Sequence, residues 1–213
     1  MGLVTGKFGI NFYHGTGCLI GPRIVLTCAH NIYDPKFNEP TDLNFYPAVN
    51  GKDGKGFPVK KFYYPPEYKT KTGMERSKYD IGVLELEENI SEEYGYFGID
   101  ASEKNAEEMM KAETCGYPGN KPDRTMWHAV GPVEELDEDF LYYSIPTVTV
   151  KGQSGSPIIK REKGTEFVVG VHIGSSGKRK NMAVRLTPER RRMVNQWVGE
   201  ITGELNLSRV GFT

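Results

Sequence analysis

Short apolar runs separated by glycine, proline and polar clusters occupy most of the chain, the patterning of a protein built from short strands. Residues 8–13, 17–21 and 24–28 predict strands of a first group, continued by 57–64 and 81–86. A second group is predicted at 114–116, 129–134, 140–145, 157–160, 166–173 and 182–185. Two charged stretches, 85–93 and 103–111, show no sustained apolar face and read as solvated loops or helix faces. The tail changes period. Thr187 followed by Pro188 is a helix-start signal, and Met193, Val194, Trp197, Val198 and Ile201 recur at helical spacing, which predicts a C-terminal helix docked on the second group. Arg190, Arg191 and Arg192 fall in its first turns and read as a solvated face. The 25 glycines and 13 prolines suit turns between barrel strands, so the fold class expected is all-β with a terminal helix.

Three fragments carry candidate chemistry. His30 ends Thr27-Cys28-Ala29-His30, Asp80 opens Asp80-Ile81-Gly82-Val83-Leu84, and Ser154 lies in Gly152-Gln153-Ser154-Gly155-Ser156-Pro157. A serine hydroxyl is a poor nucleophile at neutral pH and needs an imidazole to take its proton. The imidazole in turn needs a carboxylate on its other nitrogen to fix one tautomer and stabilise the imidazolium. Glycines at 152 and 155 let the chain turn sharply and let the amides of Gly152 and Ser154 converge on an oxyanion. Singly, a serine between glycines is a turn residue, and the histidine or aspartate could merely bound a strand. All three in the order His, Asp, Ser form a set, and the order differs from those of subtilisins and α/β-hydrolases.

These motifs resemble the chymotrypsin-fold serine proteases. Gly116-Tyr117-Pro118-Gly119-Asn120-Lys121-Pro122, Thr125-Met126-Trp127 and Gly170-Val171-His172-Ile173-Gly174 narrow the likeness to the glutamyl endopeptidases of staphylococcal type. The resemblance, spanning roughly residues 15–185, implies two packed six-stranded antiparallel β-barrels and a C-terminal helix in one domain over 1–213. The barrels would occupy about 1–100 and 110–186, the helix 187–202, and the active site the seam between barrels. It implies His30 as general base, Asp80 as its orienter, Ser154 as nucleophile, and Gly152 and Ser154 as the oxyanion hole. Thr149 and His172 would line the primary specificity pocket, and Ile173, Gly174 and Ser175 would pair with substrate as an added strand. Both pocket side chains suit a substrate carboxylate, so cleavage after Glu, with Asp as a second candidate, is expected. Protein or peptide substrates, a monomer and secretion follow from the same likeness. The chain departs from the family twice. Met1-Gly2-Leu3-Val4 leads almost directly into the first core strand, without the arm whose α-amino group assists glutamate binding. Cys28 stands where a small residue is usual, and a structural role rather than a nucleophilic one is expected of it.

Bulk properties restrict the alternatives. Two hundred and thirteen residues suffice for a substantial core without disulfides. With 27 basic against 28 acidic residues the net charge is −1, which gives no general attraction to nucleic acid or membrane. No stretch has the length of a membrane-spanning helix, and no apolar signal segment precedes the domain. Cys18 and Cys28 flank the turn at Gly21-Pro22-Arg23 and could face each other; equally, both could be small buried hydrophobes, with Cys115 a third. No Cys/His spacing forms a zinc pattern, His14 and His128 stand alone, and no metal or cofactor is assigned. The competing functional classes are a non-catalytic binding module on this fold and a protease of different specificity.

Overall fold

The first hairpin turns at Gly9-Ile10, joining β1 (Gly2–Phe8) to β2 (Asn11–Gly21) in register from Gly2↔Gly17 to Phe8↔Asn11. The single strand expected over 8–13 therefore straddles a turn, because its apolar run is shared by two strand ends. Four more strands, β3 (Ile24–Thr27), β4 (Thr41–Pro47), β5 (Phe57–Tyr63) and β6 (Gly82–Leu86), close a barrel in the order β1-β2-β3-β6-β5-β4. Val4, Leu19, Val25, Phe45, Phe57, Leu84 and Leu86 fill it. Burying each such side chain contributes about 1.5–3 kcal/mol relative to exposure. The computed structural model describes residues 1–51, 53–102, 111–145, 150–176 and 180–202, so most of the predicted charged stretch 103–111 lies outside the described residues.

After β7 (Gly98–Ile99) come β8 (Lys111–Gly116), β9 (Trp127–Leu136), β10 (Phe140–Tyr143), β11 (Pro157–Glu162), β12 (Thr165–Ser176) and β13 (Lys180–Arg185). They pair in the order β11-β8-β9-β10-β13-β12, and β11 returns to β12, closing a second six-stranded antiparallel barrel. β7 lies parallel on β12. Tyr143, Leu141, Ile158 and Val169 lie within this barrel's core.

The seam is apolar. Cys18, Ile24, Leu26, Cys28, Ile81 and Val83 of the first barrel share one cluster with Val168, Val171 and Leu186 of the second. The helix Pro188–Thr202 adds Val194, Trp197, Val198 and Ile201 to that cluster. It reaches the first barrel: Trp197 stacks on Tyr63 with centroids 6.4 Å apart, and Arg23 Nη2 donates to Ile201 O at 2.9 Å. The expected docking on the second barrel is thus joined by contact with the first, since the helix's apolar face covers the seam that both barrels leave open.

Two charged residues depart from the solvated role expected of them. Glu85 is buried on β6, paired with Arg23 at 3.3 Å and Lys60 at 3.5 Å. The guanidinium of Arg190 donates to Asp139 Oδ1 at 2.7 Å and to the carbonyl of Lys78 at 3.0 Å. It therefore ties the helix and the β9–β10 turn to the segment leading into Asp80. The three cysteines are free and buried, and Cys18 pairs in register with Leu26, not with Cys28.

Candidate active site

β3 and β6 pair through Thr27↔Gly82, so residues just beyond these strand ends are brought together despite fifty positions of separation. At one end the chain enters a 3-10 turn, Ala29–Asn31, which lifts His30 out of the strand line. At the other, Asp80 is only 6% exposed. Asp80 Oδ2 accepts from His30 Nδ1 at 2.7 Å, and Oδ1 accepts the His30 backbone N–H at 2.9 Å. A carboxylate on Nδ1 fixes the tautomer that leaves Nε2 with a lone pair. Burial disfavours the imidazolium, but the charge and hydrogen bond of Asp80, with a further contribution from Cys28, outweigh it and hold His30 well above its usual pKa of 6.5.

Nε2 has an unexpected neighbour. The 3-10 turn brings the Cys28 thiol back over the ring, with Sγ 3.5 Å from Nε2. Among the described residues, His30 makes no hydrogen bond to Ser154 Oγ, a gap that free active sites often close only with substrate. Cys28 is fully buried, and burial first of all pushes its thiol pKa up.

The loop around Ser154 is held by its carbonyls. Ser154 O accepts from the Thr16 amide at 2.8 Å and from Asn31 Nδ2 at 3.0 Å; Gly152 O accepts from Thr16 Oγ1 at 2.8 Å. Gln153 Oε1 caps the Val150 amide at 2.8 Å. On the other flank, Gly155 N–H donates to His172 O and His172 N–H donates to Ser156 O, both at 2.8 Å, which clamps the loop to β12. Gly152 and Gly155 have φ of +96° and +87°, a region open to glycine and costly for other residues. Among the described residues the amides of Gly152 and Ser154 donate to no protein oxygen, whereas those of Gln153, Gly155 and Ser156 do. Both amides are thereby left for a ligand. Ser154 itself is half-buried.

His172 is buried beneath this loop. Its Nδ1 lies 2.9 Å from Tyr143 Oη, and the two rings meet edge-on with centroids 6.0 Å apart. Burial, then the nearby His30, push its pKa down to about 3, so the ring is neutral. Ile173, Gly174 and Ser175 follow at a bulge in the β12–β13 register, and beyond Val171 the other edge of β12 carries no strand among the described residues. Thr149, the expected partner of His172, lies outside the described residues.

Four residues that sequence reasoning passed over surround the site: Thr16 and Asn31 hold the loop, Tyr143 holds His172, and His14 lies against Tyr117. His14 Nε2 lies 3.2 Å from Tyr117 O, and a Cβ at Gly152 would strike both. A cleft of about 530 Å³ lined by Tyr13, His14, Tyr117 and Lys121 opens on that flank. Asn31 alone offered a signal, standing next to His30; the others act across more than 25 positions.

Residues 15–171 match the family model described as trypsin-like peptidase domain. The chain belongs to that family. Glutamyl endopeptidases are among its relatives: that of Bacillus licheniformis is 29% identical over 186 residues, covering 82% of this chain and 56% of the relative. The Staphylococcus aureus MW2 enzyme is 27% identical over 198 residues, covering 87% and 54%. The chain thus spans about half the length of the curated relatives it matches. Of solved structures, a Glu endopeptidase in complex with MPD superposes with a TM-score of 0.77 at 26% identity, covering 92% of this chain and 89% of that one. The protease Anisep from Arthrobacter nicotinovorans shares the fold at a TM-score of 0.76 and 16% identity, over 92% and 93%. These chymotrypsin-like neighbours agree with the two barrels described above. Among the described residues, no helix is long and apolar enough to cross a membrane.

Proposed function

We propose that this trypsin-like peptidase is an active serine endopeptidase that forms an acyl-enzyme and prefers glutamate before the scissile bond. The observation that carries the reading is the 2.7 Å Asp80–His30 pair beside a loop that leaves the Gly152 and Ser154 amides unoccupied. Ser154 Oγ attacks the peptide carbonyl while His30 Nε2 takes its proton, and Asp80 steadies the imidazolium that forms. The carbonyl oxygen becomes an oxyanion between the two free amides. His30 then gives the proton to the departing amine, and water releases the acyl group by the same route.

Substrate direction follows from the two flanks of the loop. The acyl side would lie along the open edge at Ile173, Gly174 and Ser175, and the leaving group toward His14 and its cleft. A neutral His172 donates one hydrogen bond. With Tyr143 Oη donating to Nδ1, Nε2 carries the proton and faces the substrate carboxylate, whose charge then favours protonation of the ring. Thr149 is proposed as the second donor.

The test joins chemistry and selectivity. A fluorophosphonate should label Ser154 in the native chain and fail on Ser154→Ala, which should also lose about 10⁴-fold or more in turnover. Matched peptides with Glu or Gln before the cleaved bond should differ severalfold in kcat/KM. Absent labelling would sink the serine mechanism; equal rates on the two peptides would sink only the glutamyl preference.

A further inference from the structure

We propose that Cys28 and His30 form an inhibitory site for a thiophilic divalent cation of the zinc type, which closes the active site by occupying the lone pair of the base. A sulfur, a ring nitrogen and a carboxylate oxygen from Cys28, His30 and Asp80 all lie within 4.8 Å of one another. No zinc-like spacing announces this group in the sequence, because it depends on the 3-10 turn that folds Cys28 back onto the ring.

The geometry suits a bridging ion. Tetrahedral zinc sits about 2.3 Å from a thiolate and about 2.0–2.1 Å from an imidazole nitrogen, which holds the two ligand atoms roughly 3.6 Å apart. Sγ and Nε2 are 3.5 Å apart. The support behind the ring is also that of a zinc histidine. Metal-bound imidazoles commonly donate their other N–H to a carboxylate, which orients the ring and raises its basicity. Asp80 does this for His30 at 2.7 Å. Thiolate and imidazole together select zinc, cadmium or copper over magnesium and calcium, which favour oxygen.

Access is through the base. The His30 side chain is 32% exposed while Cys28 is covered, so the ion arrives over the imidazole edge. Binding forms one metal–sulfur and one metal–nitrogen bond; the thiol proton, and below the raised His30 pKa the Nε2 proton as well, leave to solvent and no electron changes hands. Water fills the remaining positions. A lone pair shared with the metal cannot take the Ser154 proton, so hydrolysis stops. That consequence rests on His30 acting as the base, as proposed above; the binding does not.

Two readouts on the full chain separate the ideas. Cadmium titration of wild type should give a thiolate-to-cadmium charge-transfer absorption in the ultraviolet that Cys28→Ala and the isosteric Cys28→Ser lack, since Cys18 and Cys115 remain in both. Zinc should block fluorophosphonate labelling of Ser154 and peptide cleavage reversibly, with a chelator restoring them. Measured against each variant's own metal-free rate, the half-inhibitory zinc concentration should rise about tenfold or more in both variants. Unchanged zinc sensitivity in both variants, or no absorption assignable to Cys28, would overturn the site. A Cys28-dependent absorption with labelling and cleavage unaffected would show a thiolate–metal contact that leaves the His30 lone pair free, and would overturn the inhibitory site.

Discussion

The two halves of the candidate site are held in different ways. The first-barrel half is a direct side-chain pair: Asp80 grips both the ring and the backbone of His30 from a neighbouring strand end. The second-barrel half is a loop whose shape depends on backbone turns and on groups from elsewhere, with Thr16 and Asn31 on one flank and His172 on the other. The first half is a matter of charge and tautomer. The second is a matter of conformation. Substitutions should therefore damage them through different observables.

The largest effect is expected from Asp80→Asn. It keeps the shape but offers a neutral amide to Nδ1, which favours the wrong tautomer, and loss of about 10⁴ in kcat is typical of that change. A pH profile makes the test sharper. In wild type Asp80 outweighs burial and keeps the His30 pKa raised, so the base is free only above a pH higher than 6.5. Without the carboxylate, burial remains, and the acid limb of kcat/KM should move to lower pH while the plateau drops. A plateau within tenfold of wild type, with the limb unmoved, would show that Asp80 does not orient the base.

Gly155→Ala should come next and act on the other half. At φ +87° an added Cβ is strained, and it would overlap Thr16 O and Thr27 Oγ1, on the residues that carry or brace the loop's hydrogen-bond donors. Displaced amides cost what a lost oxyanion donor costs, about 10²–10³ in kcat. The His30–Asp80 pair should survive, so the acid limb should stay at its wild-type pH. If kcat held and only the limb shifted, the division between the halves would be wrong.

The same division explains what the sequence discloses. His30 and Asp80 are legible because one closes and the other opens a short apolar run, Ser154 because glycines frame it, and their order points to one arrangement. Most strands are legible for the same reason. β4 is not: Leu43, Phe45 and Pro47 do alternate inward, but Asp42, Asn44 and Pro47 are turn formers that mask the period. Glu85 and Arg190 were expected in water because their partners, Arg23, Lys60, Asp139 and Lys78 O, are distant in sequence. The support of the loop by Thr16, and of His172 by Tyr143, is illegible on the same ground. So is the Cys28–His30 contact, although they are only two positions apart: a strand would send both side chains to one face, but only the 3-10 turn sets the distance.

His172 joins the halves, since its backbone clamps the loop and its ring feels the charges of His30 and Asp80, and it yields the smallest of the expected effects. Burial pushes its pKa down to about 3, against 6.5 for an exposed histidine. Between those values the unfolded chain binds a proton that the folded chain refuses, so stability rises with pH across this window. The contribution is complete above pH 6.5 and is lost progressively as pH falls toward 3. At pH 5.5 the loss for one such group is on the order of 1 kcal/mol relative to pH 8. Other groups titrate in the same range, so the informative quantity is the difference between wild type and His172→Gln, which cannot titrate. Denaturant unfolding of both at pH 8 and pH 5.5 should show wild type losing about 1 kcal/mol more than the variant over that interval. The variant will be less stable at pH 8, because the Tyr143 hydroxyl loses its fitted partner, but that offset cancels in the comparison. Parallel losses would mean that the folded chain accepts the proton on His172 as readily as the unfolded one. The ring would then be charged before any glutamate arrives, and Tyr143 would not be holding a neutral donor in place.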